Sequence, residues 1–299
     1  MRLRTVAGVI LVVCSWTSLS AWGGQGHRLV GLIAANHLSR TSAQNVAWLL
    51  DGQSLAGISS WADGQVSDWQ QTAQWHYLNI PPGATGYDRD RDCPRQPGVA
   101  AGARADQWRD CAVDRITYME QRVADGKLDR ADRATALKYL VHFIGDLHQP
   151  FHALGVGRGG NDVTVRVFGV SNCGPSTPLR TTPSLPRGGN DPARPSLPCN
   201  LHSVWDSRLI ARRGLPDKAY VAVLEKLIAQ KGWFAQPVGT PAQWAEQSWR
   251  LGRSALVAND TNIDEAYYHK HIGIVEERLA LAGVRLAAVL NRALAVSSR

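Results

Sequence analysis

The chain has 299 residues, is 44% hydrophobic and 19% charged, and carries a formal net charge of +8. Beyond its first residues no apolar run approaches the ~20 residues that a membrane-spanning helix needs, which excludes a membrane-embedded protein and leaves one large soluble domain as the natural reading. The positive surplus suits a polyanionic partner, since basic side chains displace counterions condensed on phosphates, but a merely cationic surface would give the same number.

In chain order, Arg2 and Arg4 precede an apolar run from Val6 to Val13 and a polar stretch ending in Ser18-Leu19-Ser20-Ala21. This is the pattern of a secretory signal peptide over residues 1–21, so the chain is expected to be secreted or periplasmic. Cys14 follows Val13, not the small residue that a lipoprotein signal requires, and belongs to the discarded peptide. Removal of 1–21 takes away two arginines and no acid, leaving 278 residues, 22–299, with a net charge of +6. The four remaining cysteines, Cys93, Cys111, Cys173 and Cys199, allow three disulfide pairings. Cys93 with Cys111 and Cys173 with Cys199 is the expected pairing, because each pair brackets a stretch rich in Gly, Pro and Arg within the long loops 80–108 and 171–200. None sits in a CxxC pair, which argues against zinc on cysteine.

Between the loops the period is helical. Ala134, Leu137, Leu140, Val141, Ile144 and Leu147 recur at three- and four-residue intervals and predict a helix over 132–149. Residues 217–231 read as another helix. Thr240-Pro241 reads as an N-cap with proline in the first turn. Residues 264–294 read as a helical pair broken near Gly283, and only 163–168 looks like a strand. The fold class is therefore all-α, or mainly α.

The chemistry lies in His and Asp. His142 and Asp146 stand four apart on the predicted helix and project from one face, and His202 with Asp206 repeats the spacing. One such pair is commonly a surface hydrogen bond. Two of them, with His152 just after Pro150, point to zinc, for which imidazole and carboxylate are ordinary ligands. His37 and His148 read as helix or supporting groups, and His269 and His271 as solvated.

Six blocks in fixed order then resemble the zinc-dependent single-strand nucleases of the S1/P1 family: WGGQGH (22–27), SWAD (60–63), WHYLNIP (75–81), LVHFIGDLHQPFH (140–152), GGN (159–161) and NLHSVWD (200–206). The resemblance covers essentially the whole mature chain, as one helical domain of the phospholipase C and single-strand nuclease type with a trinuclear zinc site. It implies three zinc ions. Trp22, through its amine and carbonyl, and His27 would hold one. Asp63, His76 and His142 would hold a second, with Asp146 bridging the two. His152, His202 and Asp206 would hold the third. Asp63 and Asp146 would thus be catalytic, in an in-line attack of water on phosphorus that needs no general-acid side chain and gives 5′-phosphorylated nucleotides. Removal of 3′-phosphates from mononucleotides is also implied. Single-stranded DNA and RNA would be bound by Tyr77 stacking on a base, Asn79 bonding a base edge and Asn161 near the third zinc, with the protein acting as a monomer.

Two departures stand out: Val66 replaces an arginine that the family often has three residues after the SWAD aspartate, and both long loops exceed the family pattern. Arg180, Arg187 and Arg194 in the second loop read as solvated. The amine ligand also constrains processing. Cutting after Ser20 suits signal peptidase better locally, but it would turn the Trp22 nitrogen into an amide, which donates poorly to a metal; cutting after Ala21 is expected. A zinc phospholipase C is the nearest rival, opposed by the base-facing Tyr77 and Asn79. A non-catalytic zinc- or nucleic-acid-binding protein is the rival from another class, opposed by open metal positions.

Overall fold

The computed structural model describes residues 22–65, 72–93, 109–173, 198–236 and 238–295. The expected signal peptide, Val66, most of the two long loops and their arginines at 180, 187 and 194 lie outside the described residues. The architecture is mainly α: packed helices with one two-stranded parallel ladder, β1 (Val165–Val167) against β2 (Thr261–Ile263), Val165 opposite Thr261.

The Arg130–His148 helix runs through the centre. It starts where the Asp129 carboxylate accepts the Asp132 amide and stops before Pro150, whose ring disfavours a helical residue ahead of it. From Ala136 onward nearly every side chain is buried, including Leu137, Leu140, Val141, Ile144 and Leu147. A helix buried all round is one that others enclose. Helices Ala112–Ala124, Gly24–Asn36, Pro241–Ala255 and Glu265–Ala293 all pack against it. Helix Asp217–Lys231 follows the predicted bounds and ends on Gly232 in the left-handed conformation. Thr240 caps Pro241–Ala255 through a capping box with Gln243.

Three expectations are corrected. The helical pair predicted over 264–294 is one unbroken helix, Glu265–Ala293. Gly283 is needed there for closeness and not for a break, since a Cβ at this position would stand 2.5 Å from Ile33 Cγ2 on the amino-terminal helix. The predicted strand keeps only its middle, Val165–Val167, and its partner Thr261–Ile263 was not foreseen. His271, read as solvated, is buried: its Nδ1 donates to the Tyr267 carbonyl at 2.8 Å, and its ring lies against Tyr267 and the edge of Trp205. His269 is exposed, as expected.

Both disulfides form as paired above, Cys93–Cys111 and Cys173–Cys199. Among the described residues no helix is long and apolar enough to cross a membrane.

Candidate metal centre

The predicted ligands reach one region from several elements. His27 is buried on the amino-terminal helix, which comes this close to the central helix because residue 145 is glycine: a Cβ there would lie 2.8 Å from His27 Nδ1. Asp63 sits on the short 3-10 turn Ala62–Gly64 and His76 at the end of another, Ala73–His76. His142 and Asp146 come from the central helix, and His152 from the 3-10 turn Pro150–Ala153 that follows it. His202 and Asp206 lie one turn apart where the helix Leu201–Ser203 continues as a π-helical stretch, Val204–Arg208. Such widened turns are frequent at functional sites.

Ligand atoms converge in three places. His142 Nε2 stands 3.1 Å from His76 Nδ1, 3.3 Å from Asp146 Oδ2 and 3.4 Å from Asp63 Oδ1, while His76 Nδ1 is 2.9 Å from Asp146 Oδ2. The other oxygen of Asp146 faces His27 Nε2 at 3.2 Å. Separately, His152 Nε2 is 3.1 Å from His202 Nε2, which is 3.4 Å from Asp206 Oδ2. Four ligands at about 2.0–2.1 Å around a tetrahedral zinc lie roughly 3.3 Å from one another. The donor set and its spacing fit zinc.

Hydrogen bonding strengthens the fit. A carbonyl oxygen can only accept, so each imidazole bonded to one through Nδ1 carries a proton there and, in its neutral form, keeps a bare Nε2. His142 Nδ1 donates to the Ser59 carbonyl, His152 Nδ1 to that of His76 and His202 Nδ1 to that of Gly159, at 2.8, 2.9 and 2.6 Å. Carbonyls that orient ligands in this way are common around protein-bound metals. His152 and His202 therefore aim two lone pairs at each other across 3.1 Å, with their rings buried. Burial, reinforced by His152, pushes the His202 imidazole down to about 3, and burial lowers His152 too. A cation between the two nitrogens relieves that repulsion.

Around His142 the field asks for positive charge as well. Burial would lower its pKa, but the Asp146 and Asp63 carboxylates outweigh burial and raise it well above the ordinary 6.5. Burial likewise pushes Asp146 up, yet His142, His27 and His76 hold it well below the usual carboxylate range. Asp63 behaves the same way, held down by His142 against burial. Asp206 differs: burial raises it well above 3.8, offset in part by the bond it accepts from Gln149 Nε2 at 2.6 Å.

Gln149, which bonds a predicted ligand, is a residue that sequence reasoning missed. It is fully buried, its Oε1 accepts the Phe151 amide, and its Nε2 fixes one Asp206 oxygen so that the other faces His202. The signal was its place in HQPFH between two histidines. A second missed group brackets His76. The Trp75 indole N–H donates to Asp110 at 2.8 Å, Arg115 donates to the same carboxylate and lies over the Trp75 ring, and the Ala112 amide donates to the Tyr77 carbonyl. Nothing in a local window joins Asp110 to Trp75.

Trp22 is completely buried, and Gly23 donates its amide to the Asp206 carbonyl at 2.7 Å, so the chain from Trp22 onward is docked at the third group. Tyr77 is half-buried and Asn79 exposed, both directly after His76. Asn161 is half-buried and donates one Nδ2 hydrogen to the Arg158 carbonyl at 2.9 Å, which leaves the other N–H and the oxygen for a ligand. His37 bonds Glu225, and His148 accepts from Arg285. The disulfide-bonded cysteines take no part in the His and Asp groups.

Comparison with known proteins agrees with this chemistry. The family model for S1/P1 Nuclease matches residues 22–295. The chain is 30% identical to Endonuclease 1 of Arabidopsis thaliana over 97% of this chain and 92% of that protein. It is 29% identical to Nuclease P1 of Penicillium citrinum, over 90% of this chain and 97% of the relative. With Nuclease S1 of Aspergillus oryzae it shares 26% identity, over 97% of both chains.

Proposed function

The chain belongs to the S1/P1 nuclease family, and on that premise we propose that Trp22, His27, Asp63, His76, His142, Asp146, His152, His202 and Asp206 hold three zinc ions with which it hydrolyses single-stranded DNA and RNA to 5′-phosphorylated nucleotides. It is a nuclease, a hydrolase of phosphodiester bonds. The observation that carries the zinc reading is the pair of bare nitrogens of His152 and His202, held 3.1 Å apart. Zinc in these groups supplies Lewis acidity, acidifying water and neutralising phosphoryl charge.

The protein's own residues set the geometry. Asp146 divides its two oxygens between His27 and the His76 and His142 pair, so one carboxylate fixes the spacing of the two adjacent groups. Ser59, His76 and Gly159 hold three imidazoles in one tautomer. Tyr77 offers a face to an unstacked base and Asn79 an exposed amide to its edge, a pairing that suits a single strand and disfavours intact duplex. The protein acts as a monomer in this reading. The same site removes 3′-phosphates from mononucleotides.

Export with cleavage after Ala21 completes the reading, giving a single nuclease domain over 22–299. It is supported by the family match beginning at residue 22, the burial of Trp22 and two disulfides suited to an oxidising compartment. The experiment incubates exported protein of known intact mass with single-stranded DNA, RNA, duplex DNA and phosphatidylcholine, with and without chelator. Chelator-sensitive cleavage of the single strands to 5′-phosphates, by protein starting at Trp22 with three zincs, is expected. Preferred hydrolysis of the lipid would sustain the phospholipase reading instead. Full activity in a form that keeps residues before Trp22 would remove the amine ligand.

A further inference from the structure

Residues 157–160 pass through four successive left-handed conformations, with φ of 50° at Gly157, 48° at Arg158, 64° at Gly159 and 79° at Gly160. Three are glycine, which adopts this region freely; an L side chain there is strained, and Arg158 is the exception. Burial does not offset that strain, because the arginine side chain is 75% exposed. Its Nε and Nη2 both bond one oxygen of Asp162, at 2.9 and 2.6 Å, and that pair lies in solvent.

The turn is fastened to the site on both sides. Leu78 and Ile80 donate to the carbonyls of His152 and Ala153, and Gly155 donates back to Ile80, so the segment bearing Tyr77 and Asn79 runs alongside the chain that enters the turn. On its far side the Gly159 carbonyl accepts from His202 Nδ1 at 2.6 Å, and Asn161 braces the Arg158 carbonyl. Arg158 therefore stands on the rim between the Tyr77 face and the third metal group.

We propose that Arg158 is a substrate-binding residue that grips a backbone phosphate of the single strand beside the nucleotide whose base lies on Tyr77, with Asp162 holding the guanidinium ready in the free enzyme. The inference rests on the reading of Tyr77 as a stacking face. A planar guanidinium pairs with phosphate through two parallel N–H bonds, and a backbone phosphate, with the same single charge as a carboxylate, competes with solvent-exposed Asp162 through the counterions that its binding releases. Contact with the sugar-phosphate backbone is indifferent to the base, which suits a nuclease that must accept any sequence.

The test is Arg158→Gly, because glycine relieves the left-handed strain while deleting the charge. Zinc content, melting temperature and the salt dependence of KM are measured on oligo-dT, oligo-dA and oligo-dC. Expected are unchanged zinc, a melting temperature equal or higher, and KM raised roughly tenfold by the same factor for all three, as loss of one charge-assisted contact implies. The slope of log KM against log salt should become shallower by about 0.7, the value for one phosphate contact on a single strand. Arg158→Lys should recover most of that slope, and Asp162→Asn, by freeing the guanidinium, should lower KM. A parental KM and salt slope in Arg158→Gly overturn the proposal, as does a fall in melting temperature or zinc content that accounts for the lost affinity. Tyr77→Ala keeps the two readings apart: a null effect there with a shallower slope in Arg158→Gly removes the stacking role and leaves the phosphate contact standing.

Discussion

Replacing Asp146 by Asn changes one oxygen into an NH2 group and removes one charge, in a side chain with no exposure. In the parent, Oδ1 faces His27 Nε2 at 3.2 Å, and Oδ2 faces His76 Nδ1 at 2.9 Å and His142 Nε2 at 3.3 Å. An amide nitrogen has its lone pair drawn into the carbonyl and cannot serve as the second oxygen, so one of the two adjacent positions loses a ligand whichever way the amide turns. Metal ions contribute several kcal/mol of transition-state charge stabilisation. A loss of about 4–5.5 kcal/mol at roughly 1.4 kcal/mol per decade corresponds to about 10³–10⁴ in kcat/KM. One zinc bound at about a hundred times its dissociation constant stabilises the fold by about 2.7 kcal/mol. Its loss should lower the melting temperature by roughly 5 °C in a domain of this size. Turnover on a single-stranded oligonucleotide, zinc per chain by plasma mass spectrometry and a thermal melt read all three. An Asn variant that keeps three zincs and near-parental turnover would refute the bridging role.

Four further outcomes follow from particular contacts. Gln149→Ala, which frees the Asp206 oxygen now fixed at 2.6 Å, should weaken one zinc by about 10–100-fold in a chelator competition; unchanged affinity would mean that Asp206 is oriented without it. Tyr77→Ala should weaken single-strand binding by about 1–3 kcal/mol with metal content intact, read as KM across base compositions. Gly283→Ala drives a methyl to 2.5 Å from Ile33 Cγ2 and should cost about 1–3 kcal/mol of stability before a helix-propensity gain of about 1 kcal/mol, read in a denaturant titration; a variant as stable as the parent would mean that the two helices separate without cost. His148 must stay neutral, since burial and then Arg278 and Arg285 hold its pKa well below 6.5. A folded pKa below the unfolded one means that its contribution is complete above about pH 6.5 and is lost as pH falls below it, at up to about 1.4 kcal/mol per pH unit; His148→Gln at saturating zinc should remove that part of the slope.

What was legible in the sequence was whatever repeats at short range. The stripe from Leu137 to Leu147, the bounds of Asp217–Lys231 and the Thr240 cap are local patterns, and two His-x3-Asp pairs fall on one helical face each by geometry alone. Gly283 was misread because glycine means two things locally, a weak point in a helix or a place where another helix must come close, and only Ile33 decides between them. His271 was misread because its cover, Trp205, comes from 66 residues away in the chain. The strand Thr261–Ile263 has no pattern of its own and exists because Val165–Val167 pairs with it. His27, Asp63 and His76 each read as ordinary polar residues until their order in six blocks is taken together.

The groups that orient the ligands explain why that order matters more than any single block. His152 hangs by Nδ1 from the carbonyl of His76, so a residue of the adjacent groups supplies the support for the third. The third group in turn anchors the start of the folded chain, since Asp206 accepts the Gly23 amide, and Gly23 begins the turn that sets His27 beside Asp146. Two of the groups thus lean on main chain that belongs to another. A shift of the His76 backbone that improved its own ligation would move the carbonyl from which His152 hangs, and a shift of Asp206 would displace the entry to the His27 helix. Metal binding at the three places would therefore be coupled through the backbone as well as through the shared carboxylate. Substituting a ligand in one group should accordingly weaken zinc in the others, even where no side chain is shared.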